Sequence, residues 1–170
     1  MRRALAWILV LLLLLAAGCG TAAKPVTGGG SDSATAAAAD DNDDAILAAV
    51  VLHELANGHV KPDETPCLRV RDAAGATADA SAAMLALVQR RWPRAVVASA
   101  CSGGGPDPVR AGDGAGVMFD VGPVQRNPAG VVVEGGGAHR GGGAIREIEY
   151  KLQRGPTGWR VSSEQVLREG

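Results

Sequence analysis

The chain has 170 residues, of which 17 are basic and 18 are acidic, so its net charge is −1. It has no basic stripe interleaved with aromatic residues, which nucleic-acid binding needs, and we therefore predict no nucleic-acid partner. Aromatic residues make up only 3% of the chain, so a folded core must consist mostly of Val, Leu, Ile and Ala.

The N-terminal segment combines a positive start, an apolar run and a cysteine. Two arginines follow Met1, residues 4–17 are continuously apolar, and the small residues Ala-Ala-Gly stand directly before Cys19. As a helix this run rises about 21 Å, which is short of the roughly 30 Å hydrocarbon core of a bilayer. The run is therefore predicted to be the hydrophobic part of a signal peptide rather than a membrane span.

This pattern resembles the lipobox of bacterial lipoprotein precursors, over residues 1 to about 20. The resemblance implies that residues 1–18 are a signal peptide and that Cys19 becomes a lipidated N-terminus, which makes the membrane a partner through the lipid anchor. Ala16 stands where such precursors most often carry leucine. The alternatives are an ordinary secretory cleavage near Ala17, which leaves Cys19 as a free thiol, or an uncleaved anchor.

Residues 19–42 are predicted to be a lipidated, flexible tether. After Cys19 the sequence is built mainly of Gly, Ala, Ser and Thr, and it cannot bury enough apolar surface to offset the entropy of ordering. The lipid anchor implies a protein of the cell envelope that faces outside the cytoplasm. In a cell with two membranes, Gly20 lacks the aspartate that commonly signals inner-membrane retention, which favours the outer membrane.

Residues 43–170 are predicted to form a single domain. Asp43 or Asp44 starts a helix with apolar residues at three- and four-residue intervals, and Asn57-Gly58 ends it. A second helix is predicted from about Asp79 or Ser81 to Pro93. Two short strands are predicted around the second helix, at 67–71 before it and at 95–98 after it.

The C-terminal half alternates apolar and polar residues with period two. This alternation predicts strands at 117–121, 131–134, 147–152 and after the turn at 154–158. Such strands are typical of an antiparallel meander with one exposed face. The predicted fold class is therefore α+β, with two N-terminal helices packed on a C-terminal antiparallel β-meander.

The last hairpin, in which Gly158-Trp159-Arg160-Val161-Ser162 follows a glycine-containing turn, resembles the end of NTF2-like and uncharacterised secreted α+β domains. The resemblance covers about thirty residues. It implies a small-ligand-binding cone, whose concave sheet would be lined by Phe119, Tyr150 and Trp159.

The segment from His53 to His59 invites comparison with the zinc-protease motif H-E-x-x-H. Here the second histidine is six residues away, which places the two rings about 120° apart around a helix. Asn57 stands where the motif needs histidine. We therefore predict a solvated helix end here, no metal site and no cofactor.

Other motifs also fail to predict catalysis. The glycine-rich segments 112–116, 135–137 and 141–143 lack the residues of a phosphate-binding loop and are predicted to be hairpin connections, although His139 and Arg140 could contact a ligand there. Ser102 is not in a G-x-S-x-G motif. We predict no catalytic residue.

Two cysteines, Cys67 and Cys101, remain in the predicted domain. Outside the cytoplasm this number favours a disulfide. The alternative is a nucleophile formed by one of them with His53, His59 or His139. If the strands at 67 and 95 were a simple parallel pair, the two cysteines would lie at opposite ends. If the disulfide forms, then either these two strands are not a simple parallel pair or the chain turns back before Cys101.

The sequence thus predicts an envelope-anchored lipoprotein whose domain is a non-catalytic binding or structural accessory module. Two alternatives stay open, a small-ligand-binding NTF2-like cone and a Cys/His-dependent extracytoplasmic enzyme. No ligand or protein partner is indicated.

Cys19→Ala should release the protein from membranes, because the acidic remainder of the chain has no other predicted means of binding lipid. Membrane fractionation of the variant beside the wild type in a bacterial host checks this. Membrane association of the variant that resists high salt would contradict the lipoprotein interpretation.

Overall fold

A computed structural model of the chain describes residues 42–142 and 146–169. The predicted signal peptide, the lipidated Cys19 and all of the predicted tether except Asn42 lie outside these residues. Of the described residues, 53% are in strands and 20% are in helices. None of the described helices is long and apolar enough to cross a membrane.

The described residues form two α-helices, nine strands and one turn of 3₁₀-helix. In chain order these are α1 (Asp43–Ala56), β1 (Thr65–Arg71), β2 (Thr77–Asp79), α2 (Ala82–Gln89), β3 (Val96–Val97), the 3₁₀ turn (Ala98–Ala100), β4 (Cys101–Gly104), β5 (Asp107–Ala111), β6 (Gly114–Asn127), β7 (Gly130–His139), β8 (Arg146–Gly155) and β9 (Gly158–Glu169).

The strands form a mixed sheet with the order β2-β1-β6-β7-β8-β9. Strand β1 runs parallel to β3 on one side and to β6 on the other. From β6 to β9 each strand pairs antiparallel with the next. Strands β4 and β5 form a hairpin that extends from the start of β6.

The predicted fold class is wrong. The two helices are separated by β1 and β2, so they do not form an N-terminal pair, and the sheet is mixed rather than an antiparallel meander. Alternation with period two identifies a strand and its faces, but it does not specify the neighbouring strand or its direction. Strand β1 lies beside β6 because both bury an apolar face, although 42 residues of the chain lie between Arg71 and Gly114.

Side chains cap both helices at their N-termini. Asn42 caps α1 by accepting a hydrogen bond from the backbone N–H of Ala45 at 2.9 Å, and Asp43 and Asp44 lie in the first turn. The cap is therefore one residue earlier than predicted. Ser81, one of the two predicted starts of the second helix, caps α2 by accepting a hydrogen bond from the backbone N–H of Met84.

The main core lies between the helices and one face of the sheet. Phe119 on β6 and Tyr150 on β8 are fully buried there, and Trp159 at the start of β9 is half-buried against them. The other core residues are apolar side chains of the two helices, of β1, β6, β7 and β8, and of three connecting segments: Ile46, Leu47, Ala48, Val50, Val51, Leu55, Val60, Leu68, Ala80, Met84, Val88, Ala95, Val117, Val121, Val131, Val133, Ile148 and Leu152.

The sulfur atoms of Cys67 and Cys101 are bonded to each other, which confirms the predicted disulfide, and their Cα atoms are 6.3 Å apart. Strand β3 is parallel to β1, yet it has only two residues, and the 3₁₀ turn that follows leads directly into Cys101. The two strands are thus parallel, and the chain turns back before Cys101, which is the second of the two predicted alternatives. With Ala98, Val109 and Met118, Cys67 forms a small cluster separate from the main core.

Gly135 and Gly137 lie within β7, so the prediction that this segment is a hairpin connection is wrong. A Cβ atom at Gly135 would lie 2.9 Å from the backbone oxygen of Asp120 on β6. Close approach of two strands, rather than a flexible turn, explains this glycine.

We expect Phe119→Ala to lower the free energy of unfolding by about 3–5 kcal/mol, because it removes a fully buried aromatic ring from the core. Urea titration of the purified protein measures the change. Val166→Ala is the control, since Val166 is 39% exposed and its truncation should cost less than about 0.5 kcal/mol. Equal losses in the two variants would contradict this account of the core.

Candidate functional site

Helix α1 places a carboxylate among its core-facing residues. Glu54 is 2% exposed and follows Val50 and Val51 at the spacing that puts them on one helical face with Leu55. A carboxylate in such a position is costly unless it is hydrogen-bonded. Glu54 accepts from the hydroxyl of Tyr150 on β8, with an oxygen–oxygen distance of 2.9 Å to Oε1.

The second oxygen of Glu54 meets a histidine that follows the helix. Asn57 is the C-cap of α1, and Gly58 continues the chain with a φ of 77°, a conformation that favours glycine. This turn brings His59 back along the helix, so that its Nδ1 lies 2.8 Å from Oε2 of Glu54. The prediction of a solvated helix end is therefore wrong for Glu54.

The other histidine of this segment contacts a residue from the far end of the chain. Nε2 of His53 lies 2.9 Å from Oε2 of Glu164 on β9, and 3.0 Å from Nδ2 of Asn57. Its ring also meets the ring of Tyr150 edge-on, with 6.4 Å between the centroids. The two histidines and two glutamates thus gather at one end of α1.

Burial raises the pKa of the Tyr150 hydroxyl well above its usual value, and the charges of Glu54 and Glu164 raise it further. The phenol therefore stays protonated at any physiological pH. It serves as a permanent donor to Glu54.

A cavity of about 440 Å³ opens beside this cluster. Its lining combines the carboxylate of Glu54 with the side chains of His59, Lys61, Arg140 and Arg146. The remaining lining residues are small: Gly58, Gly137 and Ala138. A Cβ atom at Gly137 would lie 3.7 Å from Oε2 of Glu54 and 3.3 Å from Cδ1 of Ile148. The missing side chain at Gly137 therefore leaves room next to the carboxylate.

Arg140 forms one wall of the cavity. Its guanidinium donates to both carboxylate oxygens of Glu64, at 2.5 and 2.8 Å, and to the backbone oxygen of His59 at 2.6 Å. The hydrogen bond from Arg140 lowers the pKa of Glu64, which is 4% exposed and also accepts from the N–H of Lys61. Arg140 thus joins the end of β7 to the loop that carries His59 and Lys61.

A second ionic cluster includes His139. Asp120 on β6 accepts hydrogen bonds from the guanidinium of Arg69 on β1, and its Oδ2 lies 3.1 Å from Nε2 of His139. Burial alone would raise the pKa of Asp120, but the hydrogen bonds from Arg69 and His139 outweigh burial and lower it. The predicted ligand-contacting residues His139 and Arg140 therefore each contact a carboxylate of the protein.

The proposed pairing of a cysteine with a histidine does not form in this structure. Cys67 and Cys101 are bonded to each other, and each of the three histidines contacts a carboxylate: Glu164 for His53, Glu54 for His59 and Asp120 for His139.

Sequence analysis missed the roles of Glu54, Glu64, Tyr150 and Glu164 in this region. The position of Glu54 within the apolar stripe of α1 is a signal that could have identified a buried carboxylate. Nothing near Glu164 in the sequence points to its contact with His53, because Glu164 lies 111 positions further along the chain.

Comparisons of the chain with protein-family models, with curated proteins and with solved structures find no match.

We expect Tyr150→Phe to lower the free energy of unfolding by about 1–3 kcal/mol, because it removes a hydrogen-bond donor from a buried carboxylate while keeping the ring. Urea titration measures this loss. Ser162→Ala is the control, since its hydroxyl donates to the backbone oxygen of Lys151 at an exposed position and should contribute less than about 0.5 kcal/mol. A neutral effect of Tyr150→Phe would show that Glu54 does not depend on this donor.

Proposed function

We propose that this protein is a lipid-anchored protein of the cell envelope whose domain is a non-catalytic binding module for a small anionic ligand. The observation that carries the proposal is the cavity beside Glu54, which the cationic side chains of Lys61, Arg140 and Arg146 line. Its volume of about 440 Å³ lies in the range of small-molecule sites, roughly 300–1,000 Å³.

The lipid anchor is supported by the sequence, in which a positive start, an apolar run and small residues precede Cys19. The anchor would hold the domain outside the cytoplasm, at the end of the tether 19–42. The disulfide between Cys67 and Cys101 supports this location, because disulfides persist in oxidising compartments. If the cell has two membranes, Gly20 favours the outer one.

The charges around the cavity support an anion as the ligand. The guanidinium of Arg140 donates hydrogen bonds to Glu64 and to the backbone oxygen of His59, so Arg140 holds one wall of the cavity in place. Lys61 and Arg146 are exposed at the cavity, and Arg146 contacts Glu169 in a surface pair that water can replace. Ammonium and guanidinium groups bind carboxylate and phosphate oxygens by charge-assisted hydrogen bonds.

A binding role without catalysis is proposed because the sequence completes none of the catalytic motifs with which it was compared. The Cys/His-dependent enzyme would first need the disulfide to be reduced. The NTF2-like cone is less favoured, since Phe119 and Tyr150, two of the three residues predicted to line it, are fully buried in the core.

Lys61→Ala should weaken anion binding by at least about tenfold, because a hydrogen bond to a charged group contributes about 1.5–3 kcal/mol and tenfold corresponds to about 1.4 kcal/mol. Calorimetric titration of the detergent-extracted full chain with inorganic phosphate and with citrate, in the presence of EDTA, measures it. Arg146→Ala should act in the same direction.

Lys151→Ala is the matched control, because this exposed lysine on β8 lies outside the cavity lining. The affinity of this variant for phosphate and for citrate should equal that of the wild type. Absence of saturable binding of either probe, or equal loss in Lys61→Ala and Lys151→Ala, would contradict the proposed function.

A further inference from the structure

We propose that His53, Glu54 and Glu164 bind a divalent first-row transition-metal ion, such as Zn²⁺. The ligands would be Nε2 of the imidazole and one oxygen atom of each carboxylate. These three atoms all lie within 4.8 Å of one another. No metal site is predicted from the sequence, and this site goes beyond the anion-binding function and does not depend on it.

The fold brings the three ligands together from two elements. His53 and Glu54 are consecutive residues in the last turns of α1, while Glu164 lies on β9, which packs against this helix. Nε2 of His53 and Oε2 of Glu164 are already 2.9 Å apart, close to the spacing of two adjacent ligands around one ion with bond lengths of about 2.0–2.2 Å. Small rotations of these side chains would complete the site.

Charge favours a cation at this position. Glu54 is 2% exposed, and one of its carboxylate oxygens lies within 4.8 Å of a carboxylate oxygen of Glu164. Two carboxylates that converge in a partly buried region repel each other, and a divalent ion between them replaces this repulsion by attraction. The neighbouring imidazole is a neutral ligand, so the loaded site would carry no net charge.

The contacts of His53 also suit metal binding. Its Nε2 lies between the carboxylate of Glu164, which only accepts hydrogen bonds when ionised, and Nδ2 of Asn57, which only donates. A neutral imidazole nitrogen either donates or accepts, so it satisfies one of these two neighbours. A metal ion would use the lone pair of Nε2 and would at the same time bind the carboxylate.

Outer hydrogen bonds hold the buried ligand in place. The hydroxyl of Tyr150 lies 2.9 Å from Oε1 of Glu54, and Nδ1 of His59 lies 2.8 Å from Oε2. Groups that orient a ligating carboxylate in this way raise metal affinity. The side chain of Glu164 is 44% exposed and that of His53 is 30% exposed, so solvent reaches the site and water can complete the coordination.

The donor set identifies the class of ion. One imidazole nitrogen with two carboxylate oxygens suits Zn²⁺ and its first-row neighbours, whereas Ca²⁺ and Mg²⁺ prefer oxygen ligands alone and Cu⁺ prefers sulfur. We therefore expect Zn²⁺ and Co²⁺ to bind, and Ca²⁺ and Mg²⁺ to compete poorly.

Calorimetric titration with zinc chloride tests the site, using the detergent-extracted, untagged full chain after EDTA treatment and in a phosphate-free buffer. We expect one Zn²⁺ per chain. Glu164→Gln and His53→Gln should each weaken binding by at least about tenfold, the lower end of the loss seen even for groups that only orient a metal ligand. Both changes are at solvent-accessible positions, so the fold should survive them.

Glu149→Gln is the matched control, because this partly exposed glutamate on β8 is not one of the converging ligands, and it should bind Zn²⁺ like the wild type. Lys61→Ala should not weaken Zn²⁺ binding, because it removes a positive charge and none of the three ligands, and this separates the proposal from anion binding. With Co²⁺ as the probe, the visible absorption of the bound ion should change in His53→Gln.

Absence of a 1:1 Zn²⁺ site would overturn the proposal. It would also be overturned if Glu164→Gln and His53→Gln bound Zn²⁺ as tightly as Glu149→Gln.

Discussion

The apolar residues of α1 pack against the sheet over β6, β7 and β9, with Tyr150 reaching the helix from β8, and this packing determines where Glu54 lies. Helical periodicity places its carboxylate in the same stripe as Val50 and Leu55, so the core must accommodate a charge. Tyr150 supplies one hydrogen bond from the sheet, and His59 supplies another after the turn at Gly58. The chemistry at this end of the domain is thus a consequence of how the helix covers the sheet.

Different contacts secure the middle of the sheet. Strand β1 enters between β2 and β6, and the ion pair of Arg69 with Asp120 joins it to β6, while the disulfide joins Cys67 to Cys101 at the start of β4. Each link connects segments that are distant in the chain. The disulfide stabilises the mixed sheet because it reduces the conformational freedom of the unfolded chain. The ion pair fixes the register of two strands that local sequence preferences do not pair.

The two proposed binding sites share Glu54 but use different neighbours. The cavity would present Lys61 and Arg146 to an anion, whereas His53 and Glu164 converge with Glu54 on a point where a cation is favoured. Glu54 is held by two donors in either case. An exposed site of this kind, on a domain that the proposed lipid anchor keeps outside the cytoplasm, would meet small solutes of the envelope directly.

Hydrophobic periodicity located both helices and most of the long strands, because periods of 3.6 and 2 residues indicate which face of a helix or strand is buried. The sequence also indicated the pairing of Cys67 with Cys101, since two cysteines in a domain that is predicted to lie outside the cytoplasm favour a bridge. Two features are seen only in the tertiary structure: β1 lies parallel to β6, and Glu164 contacts His53. Strand neighbours and contacts between distant residues depend on how the whole sheet buries its apolar face, and no local pattern records that choice.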